Sequence, residues 1–212
     1  MLQIQQAAMF ADKCNKIFKR AIEDYHKIDH VDAQTENPYT QGSIEWILYE
    51  KNWIDTVQWH LEDMVRDPGI SPGKGLAIKR RIDRSNQERT DLVERIDEYF
   101  LEKFKHIKPK KDARINTESP AWAIDRLSIL ALKIFHMKEQ TERKDTDEAH
   151  RKLCQMKLDI LREQQADLSE SIQALLEDYQ QGEKVMKVYR QMKMYNDPKL
   201  NPVLYAAKKS PG

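Results

Sequence analysis

Trp59, His60, Glu62, Asp63 and Arg66 crowd into the stretch VQWHLEDMVRD, residues 57–67. On a helix, an indole, an imidazole, two carboxylates and a guanidinium then share about two turns. An imidazole beside a carboxylate can move protons near neutral pH, so His60 with Asp63 is the candidate catalytic pair. A guanidinium binds phosphate or carboxylate bidentately, and an indole face suits a base or a sugar.

The cluster belongs to a longer row. Asn52, Thr56, Trp59/His60, Asp63 and Arg66 recur at steps of three or four, beside the apolar stripe of the same helix. Asp83, Asn86, Arg89 and Thr90 sit at or next to the core-facing stripe of the following helix. Asp125, Ser128 and His136 share a face of a third helix, with Arg126 alongside. Polar groups buried at such positions cost several kcal/mol each unless they are bonded or paired.

Three readings of this patch stand side by side. The first is a structural network in which Arg66 or Arg89 pairs with Asp63, Asp83 or Asp125. The second is a pocket for an anionic small molecule, with Arg66, Arg89 and Arg126 taking the charge. His60, Asp63, Asp83, Asn86 and Asp125 would then take hydroxyls or hold the arginines. The third is a divalent metal centre on His60, Asp63, His136 and Glu139. It would need His60 and His136 within about 5 Å of each other, because His–metal bonds are ~2.1 Å. The order His-x-x-acid is opposite to the Glu-x-x-His of ferritin-like di-iron bundles, and the nearby arginines oppose a cation.

Other motifs are weak. Glu88-x-x-Asp91 and Glu94-x-x-Asp97 match half of the acidic pattern of all-α nucleotide pyrophosphohydrolases, and the Glu-x-x-Glu half is missing. There is no Gly-rich phosphate loop and no defensible nucleophile triad. Cys14 and Cys154 match no metal spacing and read as small buried hydrophobes of a reducing compartment. The basic run HIKPKKDARINTES reads as a solvated loop.

The elements that must position these residues are helices. Ala7, Phe10, Cys14, Ile17, Ala21 and Tyr25 predict a first helix over about 3–28, and Ser43 caps a second over 44–66. A third covers about 75–104. Ser119-Pro120 starts a fourth, the most apolar of the set. Cys154, Leu158, Leu161, Gln165, Leu168, Ile172, Leu175 and Tyr179 hold a period of 3.5, and Gly182, Met186 and Tyr189 continue its register. That pattern predicts a coiled-coil-like seam facing the first helix, a second copy of the chain or another protein.

The expected fold is all-α: an antiparallel bundle of about four core helices with a long C-terminal helix. Residues 1–144 form the core, 145–195 the heptad-patterned helix and 196–212 a loosely ordered tail. Of 212 residues, 40% are hydrophobic and 33% charged, with only 6 Gly and 8 Pro. That is patterned enough to fold, and helix-rich. A net charge of +1 gives no bulk attraction to nucleic acid. No apolar run approaches the ~18 residues of a membrane span. The start MLQIQQAAMFADK lacks the basic and apolar regions of a signal peptide, so a cytoplasmic location is expected.

NWIDTVQWHLEDMVR, IKRRIDRSNQERTDLVERID and ESPAWAIDRLSILALKIFHM together resemble the bacterial family catalogued as domain of unknown function 4254, over about residues 35–140. The resemblance rests on Asn52, Trp59-His60, Glu62-Asp63, Arg66, Asp83, Asn86-Gln87, Arg89, Asp91, Asp97, Pro120 and Asp125-Arg126-Leu127. It carries no catalytic residues. It implies proximity to glycosyltransferases of lipopolysaccharide-type surface glycans. The expectation is therefore a cytoplasmic accessory protein of that pathway, binding a phosphorylated or sugar-nucleotide ligand between helices. Two alternatives stay open. One is a non-enzymatic adaptor whose residues 150–190 form a homodimer or dock a glycosyltransferase. The other is a metal-dependent phosphohydrolase.

Overall fold

A computed structural model describes residues 9–194 and 197–207. Residues 3–8 of the expected first helix, and parts of the expected tail, lie outside the described residues. The chain is an all-α bundle. Its long helices are α1 (Phe10–Ile28), α2 (Ile44–Val65), α3 (Pro72–Phe104), α4 (Pro120–Glu142) and α5 (Glu148–Gln180). A parallel pair of two-residue strands, β1 (Arg114–Ile115) and β2 (Lys184–Val185), joins two loops, and α6 (Pro202–Ala207) is a single short helix in the tail.

Four of the five long helices, α2 to α5, begin where the sequence supplies a side-chain cap. Ser43 Oγ accepts from the Trp46 amide at 3.1 Å, and Asp147 accepts from the His150 amide at 2.7 Å. Ser71-Pro72 starts α3 with the same Ser-Pro signature that starts α4 at Ser119-Pro120. The third helix therefore opens at Pro72, three residues before the expected start. Proline at the first helical position gives up an amide that has no partner there anyway.

The helices do not simply alternate in direction. Lys13 meets Glu45, Tyr25 meets Trp53 and His26 meets His60, so α1 and α2 run the same way. Residues 29–43 reach about 50 Å when extended, enough to travel back along the roughly 33 Å of α2. Contacts 51 to 125 and 59 to 136 place α4 in that same sense. Helix α3 and helix α5 run opposite: Phe10 contacts Gln173 and Asn15 contacts Ser169.

Helix α4 lies against all four other long helices, and Ala121, Ile124, Leu127 and Leu132 are buried. The seam of α5 packs on α4 and α1 within one chain. Its polar member Gln165 donates to Asn15 Oδ1 at 3.2 Å. The seam stops earlier than its register suggests. Helix α5 ends at Gln180, because Gly182 adopts φ +72° and a Cβ there would lie 2.9 Å from the Lys108 carbonyl oxygen. Beyond it the chain runs along α3. Arg190 reaches Glu94 at 2.5 Å and Glu98 at 2.6 Å, and Lys193 donates to Thr90 at 2.6 Å. The expected helix over 181–195 is thus replaced, through 194, by a turn, β2 and a segment without helix or strand.

Asp97 ties α3 to the start of α4. Its Oδ2 accepts from Ser119 Oγ at 2.9 Å, and its Oδ1 is buried. Glu94 and Asp97 therefore face different partners and do not form a carboxylate pair for one cation. Burial pushes the Asp97 carboxyl up to about 6, against the bonds from Ser119 and the Ala121 amide. A carboxyl with a raised folded-state pKa stabilises fully below its unfolded value, near 4, and loses that contribution as pH rises through about 6. The stability of the wild type relative to Asp97→Asn should fall by about 2–3 kcal/mol between pH 4 and pH 7, at ~1.4 kcal/mol per pKa unit. Urea unfolding across that range checks it; a flat difference contradicts it.

Candidate functional site

Four charged side chains meet where α2, α3 and α4 touch. Lys51, Asn52, Asp55 and Thr56 occupy one face of α2 and are at most 2% exposed. Lys51 Nζ lies 2.8 Å from Asp125 Oδ1 and also pairs with Asp55, one turn along its own helix. Arg89 comes in from α3 and holds Asp125 bidentately, Nε to Oδ1 at 3.0 Å and Nη2 to Oδ2 at 2.6 Å. Its Nε also lies 3.1 Å from Asp55 Oδ1. Ser128 Oγ donates to Asp55 Oδ2 at 2.6 Å and accepts from Asn52 Nδ2 at 2.8 Å. Two cations thus face two carboxyl groups, and of the four only Arg89 is substantially exposed.

The two carboxylates are held differently. Burial, then the charge of Asp125, pushes Asp55 above the usual carboxylate range despite Lys51 and Arg89. Burial also works against the Asp125 anion. There the Lys51 charge and the Arg89 bonds win, and its pKa falls below the usual range. Arg89 is held in the charged form by the same bond and by both carboxylates, against its own burial. Asp55 Oδ1 is buried against Arg89 as an ion pair, and Asn52 Oδ1 is a buried acceptor with no hydrogen-bond donor among the described residues.

This network forms the floor of an opening. Asp55 and Arg89 line a cleft of about 480 Å³ whose walls carry Gln58, Trp59, Asp63 and Arg66. Arg89 spends Nε and Nη2 on Asp125, and a quarter of its side chain stays exposed. Arg66 is two-thirds exposed and lies 3.1 Å from Glu62. Asn86 supports the cleft from behind by accepting from Gln58 Nε2 at 3.0 Å. Trp59 and Asp63 also border a second cavity of about 540 Å³, lined further by His136, Lys133 and Ile160.

The third group is imidazole. His26, His60 and His136 each place a ring nitrogen within 4.8 Å of the other two. That satisfies the spacing required of His60 and His136 for a metal centre. His60 stacks on Tyr25 at 5.1 Å, and His136 stacks on Trp59 at 4.8 Å with an interplanar angle of 13°. Burial, then the neighbouring His26 and His136, lowers the pKa of His60.

The sequence-derived candidates therefore divide. Arg89 and Asp125 meet with Asn52 nearby, and Trp59, Asp63 and Arg66 rim the cleft. His60 and His136 join a separate cluster. Asp83 is elsewhere, paired with Lys79 on the outer face of α3. Arg126 is half-exposed and pairs with Glu118; next to Asp125 on a helix, it points about 100° away from the cleft. Glu139 faces His136 Nδ1 at 2.8 Å and Asp63 is not in the imidazole group, so the expected four-residue metal set does not assemble. Among the described residues no hydrogen bond joins His60 to Asp63, although the Asp63 charge acts on the imidazole, so the structure does not mark them as a bonded proton-transfer pair. The sequence reading missed Lys51, Asp55 and His26. A Lys and an Asp four apart usually mark a solvated helix face. The contrary signal is that Ile47, Leu48, Tyr49 and Trp53 leave this part of α2 no solvated side.

A family model described as "Protein of unknown function (DUF4254)" matches residues 45–188, and the chain belongs to that family. The match extends beyond the expected limit near residue 140 and takes in α5. It includes Lys51, Asp55, Arg89 and Asp125, while α1 with His26 lies outside it. No curated protein and no solved structure matches the chain.

Removing one member of a buried ion network costs about 3–5 kcal/mol, because a charge is left without its partner. Lys51→Met should destabilise by that amount in urea unfolding. Adding Asp55→Asn should restore part of the loss by removing the orphaned anion. A double variant no more stable than Lys51→Met would show that the lysine acts through packing alone.

Proposed function

We propose that this family member binds a phosphorylated, hydroxyl-rich small molecule of the sugar-nucleotide kind in the cleft between α2, α3 and α4. The observation that carries the reading is the pairing of cations and acceptors around one opening. Arg66 and Arg89 reach the same roughly 480 Å³ space as Asp55, Asp63 and the Trp59 ring. Guanidiniums suit phosphate oxygens, carboxylates accept from sugar hydroxyls, and an indole face stacks on a base or a sugar ring. Asp55 lies at the floor of that space with its Oδ1 3.1 Å from Arg89 Nε, so it holds the guanidinium that faces the cleft. Arg89 is fixed by Asp125 before any ligand arrives, which lowers the entropy cost of binding. The role as an accessory of surface-glycan biosynthesis rests on the family resemblance alone.

One observation favours a second reading, a docking or dimerising adaptor. Leu153, Met156 and Ile160 are at least half exposed on the outer face of the first half of α5. An adaptor docked to a glycosyltransferase, or a homodimer, would cover that face.

Thermal unfolding against inorganic phosphate, nucleoside diphosphates and nucleotide sugars separates the two. Ligand at ~100 times its Kd stabilises by about 2.7 kcal/mol, a rise of roughly 5–10 °C for a chain of this size. Arg66→Ala should abolish the rise and leave the unliganded Tm unchanged, because Arg66 is outside the buried network. No shift with any of these compounds, or a shift that survives Arg66→Ala, overturns the binding reading.

A further inference from the structure

The imidazole cluster has an order that packing alone does not require. His26 Nδ1 lies 2.7 Å from the Ile22 carbonyl oxygen, so this nitrogen carries the proton and Nε2 carries a lone pair. His136 Nδ1 lies 2.8 Å from Glu139 Oε2, which fixes the same tautomer. The remaining nitrogen of His136, Nε2, is buried and has no hydrogen-bond partner among the described residues. His60 Nε2 stands 3.3 Å from His26 Nε2, long for a hydrogen bond. Two nitrogens bound to one tetrahedral ion at about 2.0–2.1 Å lie roughly 3.3–3.4 Å apart. Backbone carbonyls and carboxylates on the far nitrogen are the usual orienting partners of metal-bound histidines.

We propose that His26, His60 and His136 bind a divalent transition metal of the zinc class, with Glu139 and the Ile22 carbonyl orienting two of the rings. Three neutral imidazoles suit Zn²⁺, Co²⁺, Ni²⁺ or Cu²⁺ and not the oxygen-seeking Mg²⁺ or Ca²⁺. One ring nitrogen from each residue already lies within 4.8 Å of the others, so closing on one ion takes a movement of roughly 1–1.5 Å. His60 exchanges its Nε2 proton for one on Nδ1, and no net charge is created on the protein. Three protein ligands leave a fourth tetrahedral position for water or a small ligand. His136 also lines the roughly 540 Å³ cavity that Trp59 and Asp63 share with the neighbouring cleft, which gives the ion a route in. This site stands on its own geometry and survives if the anion cleft binds nothing.

The test is titration of the untagged, chelator-stripped full chain with Co²⁺, read by visible absorption. The expected result is one equivalent with the strong bands of a tetrahedral ion, displaced by Zn²⁺ and not by Mg²⁺. His60→Gln and His136→Gln should lose the bands. Glu139→Gln should keep the stoichiometry and weaken affinity about 10–100-fold. Circular dichroism checks that each variant folds. His60→Cys covers the case in which the glutamine variants do not fold: it keeps a ligand and should add a sulfur-to-cobalt charge-transfer band. The proposal is overturned if the folded wild type gives no tetrahedral spectrum, if the bands persist in both glutamine variants, or if His60→Cys binds Co²⁺ without the new band.

Discussion

Lys51 is buried completely, and that one constraint organises the centre of the molecule. An ammonium taken out of water must be met by anions in good geometry. Asp55 supplies one from the same helix and Asp125 another from α4; Arg89 then balances the second carboxylate from α3. No pair of these helices can slip by a turn without stranding a charge. The apolar residues around the network supply the bulk of the stabilisation. The network selects which arrangement of α2, α3 and α4 they settle into.

That selection has a consequence at the surface. Arg89 is the member that reaches solvent, so the same bonds that fix three helices also fix a guanidinium at the mouth of a cleft. Trp59 is the hinge of the functional geography. One side of its neighbourhood is the cationic cleft with Arg66 and Arg89, and the other is the cavity bordered by His136. The two regions differ in chemistry. One offers guanidinium and carboxylate, suited to charged and hydroxylated ligands. The other offers neutral imidazole, suited to a transition metal.

Much of this was legible in the sequence because periodicity exposes residues that break it. Asn52, Arg89 and Asp125 stood on or beside the apolar faces of their helices, and all three lie in or beside the network. The failures have physical causes. Lys51 and Asp55 mimic an ordinary surface pair, and only burial on every side of α2 reveals them. His26 sits one position past Tyr25, the last residue of the first helix's stripe, so periodicity does not single it out. Gly182 kept the heptad register while its backbone conformation ended the helix, since a repeat in sequence says nothing of φ. The long 29–43 connection looked like a reversal but runs back to the same end of the bundle. Arg126 and Asp83 show the opposite error: a helical neighbour of a buried residue can face solvent.

The central claim is that Arg89 is locked by Asp125 at the joint of three helices and displayed to the cleft. The side-chain Nε–H signal of Arg89 in an NMR spectrum tests it most directly. The account predicts a separate, slowly exchanging resonance that collapses into the solvent-exchanged envelope in Asp125→Asn. A wild-type signal that exchanges as fast as that of exposed Arg66 would contradict it, and would leave the three helices held by apolar packing alone.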